Sequence, residues 1–246
     1  MQRMLEATAK AEDTHYWFHG LRRHAQLLLR EAAHGRTWTR IVDCGAGTGR
    51  NLDWLSRLGP AIGVELTPAG LDVARLHGRR MIRGTVTALP LADATVDLAT
   101  SFDVLYCLDD RAEAAALSEM WRVLRPGGLA LVNVAALDIL HGSHSTLTHE
   151  VRRYTRQRLR DRLERAGFRV LRLTFTNMTL FPPALAVRTI ERVTGRAAEA
   201  SDADLTVPPA PINHALDWML AGEAAFLRVA NLPIGTSIMA VAEKKA

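Results

Sequence analysis

Cysteine is nearly absent from this chain of 246 residues, which carries only Cys44 and Cys107. Two thiols inside apolar runs cannot make the bridge framework of a small secreted domain, so a packed core and a reducing, cytoplasmic setting are expected. Long apolar runs are missing too. No stretch approaches the roughly 18 to 20 residues that span a bilayer, and the opening MQRMLEATAKAEDTHYWF is interrupted by charge. Neither membrane spanning nor secretion is expected. Lysine is confined to Lys10, Lys244 and Lys245, so the net charge of +5 rests on arginine. So small an excess exerts little pull on nucleic acid, which is not an expected partner. There is no internal repeat or low-complexity tract, and 48% hydrophobic with 23% charged residues excludes a disordered chain.

What the chain does have is a regular alternation of short apolar runs with helical patterns. Residues 4–34 read as one helix, with Leu21, Ala25, Leu28 and Leu29 on one face and Arg22, Arg23 and Arg30 on another. Then come RIVDCG, AIGVEL, RMIRG, VDLATSF, LALVNVA and RVLRLTF, with a last strand at 236–242. Helices are expected between them at 51–58, 68–76 (Thr67 as cap) and 109–124, the last broken by Pro126-Gly127-Gly128. Two more follow at 184–193 and 212–229. Strands alternating with helices predict a doubly wound α/β fold with a mainly parallel sheet. The length suits a single domain. The arginines 152, 153, 156, 158, 160, 162 and 165, interrupted by Asp161 and Glu164, read at helical spacing as a solvated face, an anion site or a nucleic-acid surface.

The strongest chemical signal is VDCGAGTGR, where Asp43 closes a strand and Gly45, Gly47 and Gly49 follow at every second position. Glycines there let the chain turn sharply and let its backbone approach a ligand that a β-carbon would obstruct, and the following helix would turn its N-terminus toward that ligand. The dinucleotide fingerprint wants its third glycine where this chain has Arg50, so pyrophosphate binding fits less well. Glu65, at the tip of the second strand, can accept two hydrogen bonds from a ribose diol.

Four segments in register, VDCGAGTGR, GVELTPAGLDVAR, GTVTALPLADATVDLATSFDVLYCLDD and EMWRVLRPGGLALVNV, cover roughly residues 40–135. Together they resemble the class I S-adenosylmethionine-dependent methyltransferases of the bacterial small-molecule group. The resemblance implies a Rossmann-like, seven-stranded sheet with its last strand antiparallel. It divides the chain into an N-terminal helical cap (1–36), a cofactor-binding core (37–136) and substrate-side elements (137–165 and 177–235). It implies S-adenosyl-L-methionine held by Asp43, Gly45, Ala46 and Gly47 at its methionine part, by Glu65 and Leu66 at the ribose, and by Thr85 and the Val86 backbone at the adenine, with Ser101 below the sulfonium. Two departures stand out: Thr85 and Val86 follow Gly84 where relatives often carry an Asp, and Tyr106 and Cys107 stand where many carry Glu-His.

The acceptor is expected to be a small molecule, methylated on oxygen, nitrogen or carbon. Holding nucleophile and methyl carbon in line supplies much of the acceleration of such a transfer, and a base is needed only for a protonated acceptor. Asp103, His141, His144, His149 and Tyr154 follow strands four and five, with His149, Tyr154 and His144 the leading catalytic candidates or, for the first two, structural hydrogen-bonding groups. No carboxylate or cysteine joins the histidines at metal-ligand spacing, so no metal is expected. In HYWFHG, Tyr16 or Trp17 either stacks near the sulfonium through cation–π attraction or packs in the core. Phe181, Leu185, Trp218, Met219 and Phe226 either wall an apolar pocket, favouring an apolar or aromatic acceptor, or form a helical cover or homodimer face. A non-methylating use of the same cofactor, such as cyclisation, and a non-catalytic scaffold are the alternative readings.

Overall fold

Strand β1 (Ile41–Cys44) is buried at all four positions, the pattern of a strand covered on both faces. It lies at the centre of a sheet completed by β2 (Ala61–Glu65), β3 (Met81–Arg83), β4 (Val96–Phe102), β5 (Leu124–Ala135), β6 (Phe168–Thr176) and β7 (Ser237–Lys244). The order is β3-β2-β1-β4-β5-β7-β6. Strands β1 to β5 pair in parallel, and β7 runs antiparallel between β5 and β6. This is the Rossmann-like arrangement anticipated. The order reverses between β1 and β4, and in such sheets ligands bind outside the carboxyl ends at that switch. The computed structural model describes residues 2–142, 150–194 and 206–245.

Eight α-helices among the described residues surround the sheet: α1 (Gln2–Ala11), α2 (Tyr16–Ala33), α3 (Leu52–Leu55), α4 (Pro68–Leu76), α5 (Asp110–Val123), α6 (Arg156–Arg165), α7 (Phe181–Thr194) and α8 (Ala210–Phe226). One face of the sheet packs Val42, Val64 and Val132 against Leu117 and Met120 of α5 and Leu159 and Leu163 of α6. The other packs Ile41, Leu98, Leu131 and Val241 against Leu21, Ala25 and Leu28 of α2. Helix α8 crosses α2 where Gly20 lacks the β-carbon that would collide with Leu220. Among the described residues, no helix is long and apolar enough to cross a membrane.

Several expected elements change shape. The helix anticipated at 4–34 is two, split where His15 takes an extended conformation and its ring nitrogen accepts from the Trp17 N–H, capping α2. The helix at 51–58 shortens to α3, because the chain turns back against Trp38 at Gly59. A helix of four residues has no useful macrodipole, so its N-terminus is not an anion site. Pro126-Gly127-Gly128 is a bulge inside β5: the register with β4 jumps from Val96↔Leu124 to Leu98↔Leu129. The arginine run is no continuous helical face. Arg152 and Arg153 precede α6, are buried and pair with Glu113 and Glu150, while Arg162 reaches Asp110 at 2.7 Å. Trp218 is 79% exposed, and Met219 and Phe226 are exposed too, so these three wall no internal pocket.

Candidate active site at the carboxyl edge of the sheet

Burial of β1 carries Asp43 into the sheet, opposite Gly63 on one side and Thr100 on the other. Its Oδ1 accepts from the Thr100 hydroxyl at 2.7 Å, while its Oδ2 is buried without a partner. Burial pushes this carboxyl up to about 7, against the Thr100 hydrogen bond, and the nearby Glu65 charge adds to the rise. A buried oxygen left unsatisfied at the mouth of a loop is a place prepared for a donor.

The loop beyond it is shaped by glycine. Gly45 has φ +75°, and a β-carbon there would come within 2.5 Å of Val104; Gly47 has φ +56°. The Gly45 and Ala46 amides donate to the Val64 carbonyl, tying the loop to β2. Glu65 closes it from the other side, accepting from the Gly47 amide at 2.9 Å with Oε2 and from the Thr67 amide and hydroxyl at 2.8 and 2.7 Å with Oε1. Thr67 in turn caps α4. Glu65 therefore stands as an ordered acceptor at the tip of β2.

Above the loop sits the N-terminal hairpin. Leu5 of α1 lies 3.5 Å from where a Gly47 β-carbon would be, and Glu12 accepts from the Thr48 hydroxyl at 2.6 Å. Arg50 pairs with Asp13 and, at 2.7 Å, with Asp53. Burial raises the Glu12 carboxyl, opposed by the Thr48 hydrogen bond and by Arg79. Toward β5, Asp103 follows β4 in the left-handed region at φ +61°, and its Oδ1 accepts from Asn133 Nδ2 at 2.9 Å.

A glycine-rich loop after the first strand, a carboxylate at the tip of the second and a topological switch point are shared by several nucleotide-binding folds, so the comparisons with known proteins decide between them. The family model described as "Methyltransferase domain" matches residues 42–132. The chain is 32% identical over 163 residues to a probable S-adenosylmethionine-dependent methyltransferase of Mycolicibacterium smegmatis, covering 64% of this chain and 61% of that protein. It is 36% identical over 105 residues to the malonyl-[acyl-carrier protein] O-methyltransferase of Serratia marcescens, covering 41% of this chain and 40% of that one. The chain thus spans about three fifths or less of these relatives' lengths. The structure of Burkholderia thailandensis 1,6-didemethyltoxoflavin-N1-methyltransferase, with its substrate and S-adenosylhomocysteine bound, shares the fold at a TM-score of 0.56 and 17% identity, covering 92% of this chain and 79% of that one.

Residues 42–132 thus carry a methyltransferase domain, and the chain is similar to S-adenosylmethionine-dependent methyltransferases. S-adenosylmethionine is the cofactor such enzymes use, and the residues here suit it: a glycine loop beside the unpartnered Asp43 oxygen, with Glu65 accepting from the Gly47 amide. Ser101 is buried in β4, next in the chain to the Thr100 that bonds Asp43. Leu66, following Glu65, is exposed. The Thr85 hydroxyl lies 2.9 Å from that of Thr87 and accepts from the Thr87 amide, forming a tight turn, with Val86 half-buried against the core.

Two other predicted groups, Tyr16 and Tyr154, have partners within the fold. The Tyr16 ring stacks on His15 at 4.4 Å, and its amide donates to Asn213 of α8. Tyr154 is fully buried, donating its hydroxyl to Glu113 of α5 at 2.7 Å, and burial pushes its phenol far above the ordinary range. It faces the core and offers a substrate nothing. His141 is exposed on the 3-10 turn that begins at Asp138, while His144 and His149 lie outside the described residues. Sequence reasoning missed Asn133, Glu12, Thr48 and Thr100. Asn133 had one legible signal, an amide inside the otherwise apolar run LALVNVA. The others acquire meaning only through partners remote in sequence.

Proposed function

We propose that this protein transfers a methyl group from S-adenosylmethionine to oxygen, nitrogen or carbon of a small molecule. The observation that carries the reading is the partnerless Asp43 oxygen beside a loop built of left-handed glycines. When bound, the cofactor supplies an electrophilic methyl group on a sulfonium. Asp43, Gly45, Ala46 and Gly47 hold its methionine part, Glu65 holds the ribose with Leu66 at the rim, Thr85 and Val86 contact the adenine, and Ser101 lies beneath the sulfonium. Residues 1–36 cap this core, excluding water from it, with Tyr16 near the cofactor. Residues 137–165 and 177–235 supply the acceptor side, where His144 and His149 are catalytic candidates and Tyr154 holds the segment in place. The low cysteine count supports a reducing cytoplasm as its setting, and the exposed apolar side chains of α7 and α8 support a homodimer face.

The test is calorimetric titration with S-adenosylmethionine, S-adenosylhomocysteine and NAD. Micromolar binding of both adenosyl compounds without NAD is expected, and Gly47→Val, forcing a β-branched residue into left-handed backbone beneath Leu5, abolishes it while leaving helix content intact. Equal affinity in that variant removes the loop from the site.

A further inference from the structure

Among the described residues, six buried side-chain nitrogen or oxygen atoms lack a hydrogen-bond partner, and three of them are oxygens: Asp43 Oδ2, Asn133 Oδ1 and Asn177 Oδ1. All three stand at the carboxyl edge of the sheet, at the ends of β1, β5 and β6. Buried acceptors are costly unless a donor arrives. This edge is thus built to receive groups that bring hydrogens.

Asp43 is accounted for by the cofactor reading, but Asn133 is not. Its register opposite Phe102 puts it on the sheet face that carries Thr100 and Asp43, one strand beyond β4 on the side away from the glycine loop. Its amide nitrogen donates to Asp103 Oδ1 at 2.9 Å, and its backbone carbonyl accepts from the Asp103 amide at 3.1 Å. The carboxylate determines which end of the Asn133 amide is nitrogen, leaving the oxygen as the orphan. Asp103 is only half-buried and holds a left-handed conformation that aspartate adopts at some cost. The next residue, Val104, packs on the Gly45 backbone, so the pair adjoins the cofactor loop without belonging to it.

We propose that Asp103 and Asn133 form the acceptor-side polar pair of this protein and select an acceptor whose nucleophile carries a proton, a hydroxyl or an amine N–H, over an ionised carboxylate. The proposal rests on the methyltransferase reading above and narrows its substrate class. An O–H or N–H can donate to the free lone pairs of Asp103 and to Asn133 Oδ1. A carboxylate acceptor brings only lone pairs and a like charge to the same oxygens, with Glu150 adding to the negative field. When the nucleophile's lone pair forms its bond to the methyl carbon, the electrons of the broken carbon–sulfur bond stay on sulfur. The displaced proton passes to Asp103, so one O–H bond is made for the N–H or O–H bond lost, and carboxylate plus sulfonium become neutral acid plus neutral thioether. Burial holds the Asp103 carboxyl up to about 7, against the Asn133 hydrogen bond, a value suited to taking a proton near neutral pH.

The test uses three probes that differ only in the reacting group, phenol, aniline and benzoate, titrated by NMR into the full chain loaded with S-adenosylhomocysteine. Phenol and aniline should bind at least roughly tenfold tighter than benzoate, and Asp103→Asn, which keeps shape and tolerates left-handed backbone, should erase most of that preference. A separate readout needs no probe. With ¹³C-labelled aspartate, Asp103 should titrate near 7 in the wild type, and Asn133→Leu should move it upward by removing the N–H donor. Failure of the wild type to bind S-adenosylhomocysteine sinks the methyltransferase reading. Binding of it combined with benzoate preferred, no preference, none of the probes taken up, or a titration unmoved by Asn133→Leu overturns the Asp103–Asn133 assignment alone.

Discussion

Asp43 shows how one residue can be unfavourable for the fold and useful for the site. Its carboxyl is held at about 7 by burial, whereas in the unfolded chain it ionises near 3.8. Below pH 4 both states are protonated and burial of the group is tolerated. Between pH 4 and 7 only the unfolded chain releases its proton, so stability falls as pH rises, by on the order of 4 kcal/mol once pH exceeds 7. Asp43→Asn should therefore stabilise the unliganded protein at pH 8, with the gain shrinking toward pH 5, and thermal melts across that range will show it. A gain independent of pH would mean that Asp43 is not held protonated. Tyr154 makes the opposite case, a polar group whose meaning is structural. Tyr154→Phe leaves Glu113 short of one donor and should cost about 1 to 3 kcal/mol in denaturant unfolding, with S-adenosylhomocysteine affinity unchanged. A shift in that affinity without loss of stability would return Tyr154 to the ligand site.

At the scale of elements, α1 is tied to the glycine loop through Glu12, the residue that follows it. The Glu12–Thr48 hydrogen bond joins residues 36 apart and is buried at both ends. Thr48→Val keeps the volume but leaves Glu12 without its hydroxyl, which should cost about 2 kcal/mol and lower Tm by roughly 4 to 8 °C, with faster amide exchange in α1 than in the sheet. Exchange rising uniformly through the sheet would show that α1 belongs to the global folding unit. The split between α1 and α2 could not be read along the chain, because apolar spacing continues through it. The break is made by Glu12 and Asp13 reaching down to Thr48 and Arg50, and by His15 restarting the helix.

At the scale of the molecule, a parallel sheet reversing direction between β1 and β4 gathers Asp43, Glu65, Asp103 and Asn133 along one edge. A ligand held by Asp43 and Glu65 binds only the folded chain. At about 100 times its Kd, S-adenosylhomocysteine should stabilise the fold by about 2.7 kcal/mol and raise Tm by roughly 5 to 10 °C. A melt unmoved at that concentration would show binding that does not depend on the fold.

Fold class, strand sequence and the loop at Asp43 to Gly49 were legible in the sequence by itself. Apolar runs of strand length, glycines at alternate positions and capping residues such as Thr67 act through neighbours a few residues away, and such local constraints are written in the chain order. The roles of Tyr154, Arg152 and Asn133 were not. Each depends on a partner 30 to 41 residues distant, Asp103 or Glu113, and whether a polar side chain meets solvent, ligand or a buried counter-group is set only when strands and helices dock. Tertiary structure therefore decided which polar residues hold the fold and which oxygens at the sheet edge remain free for a ligand, because satisfaction of a buried polar group is a property of the packed molecule and has no local signature.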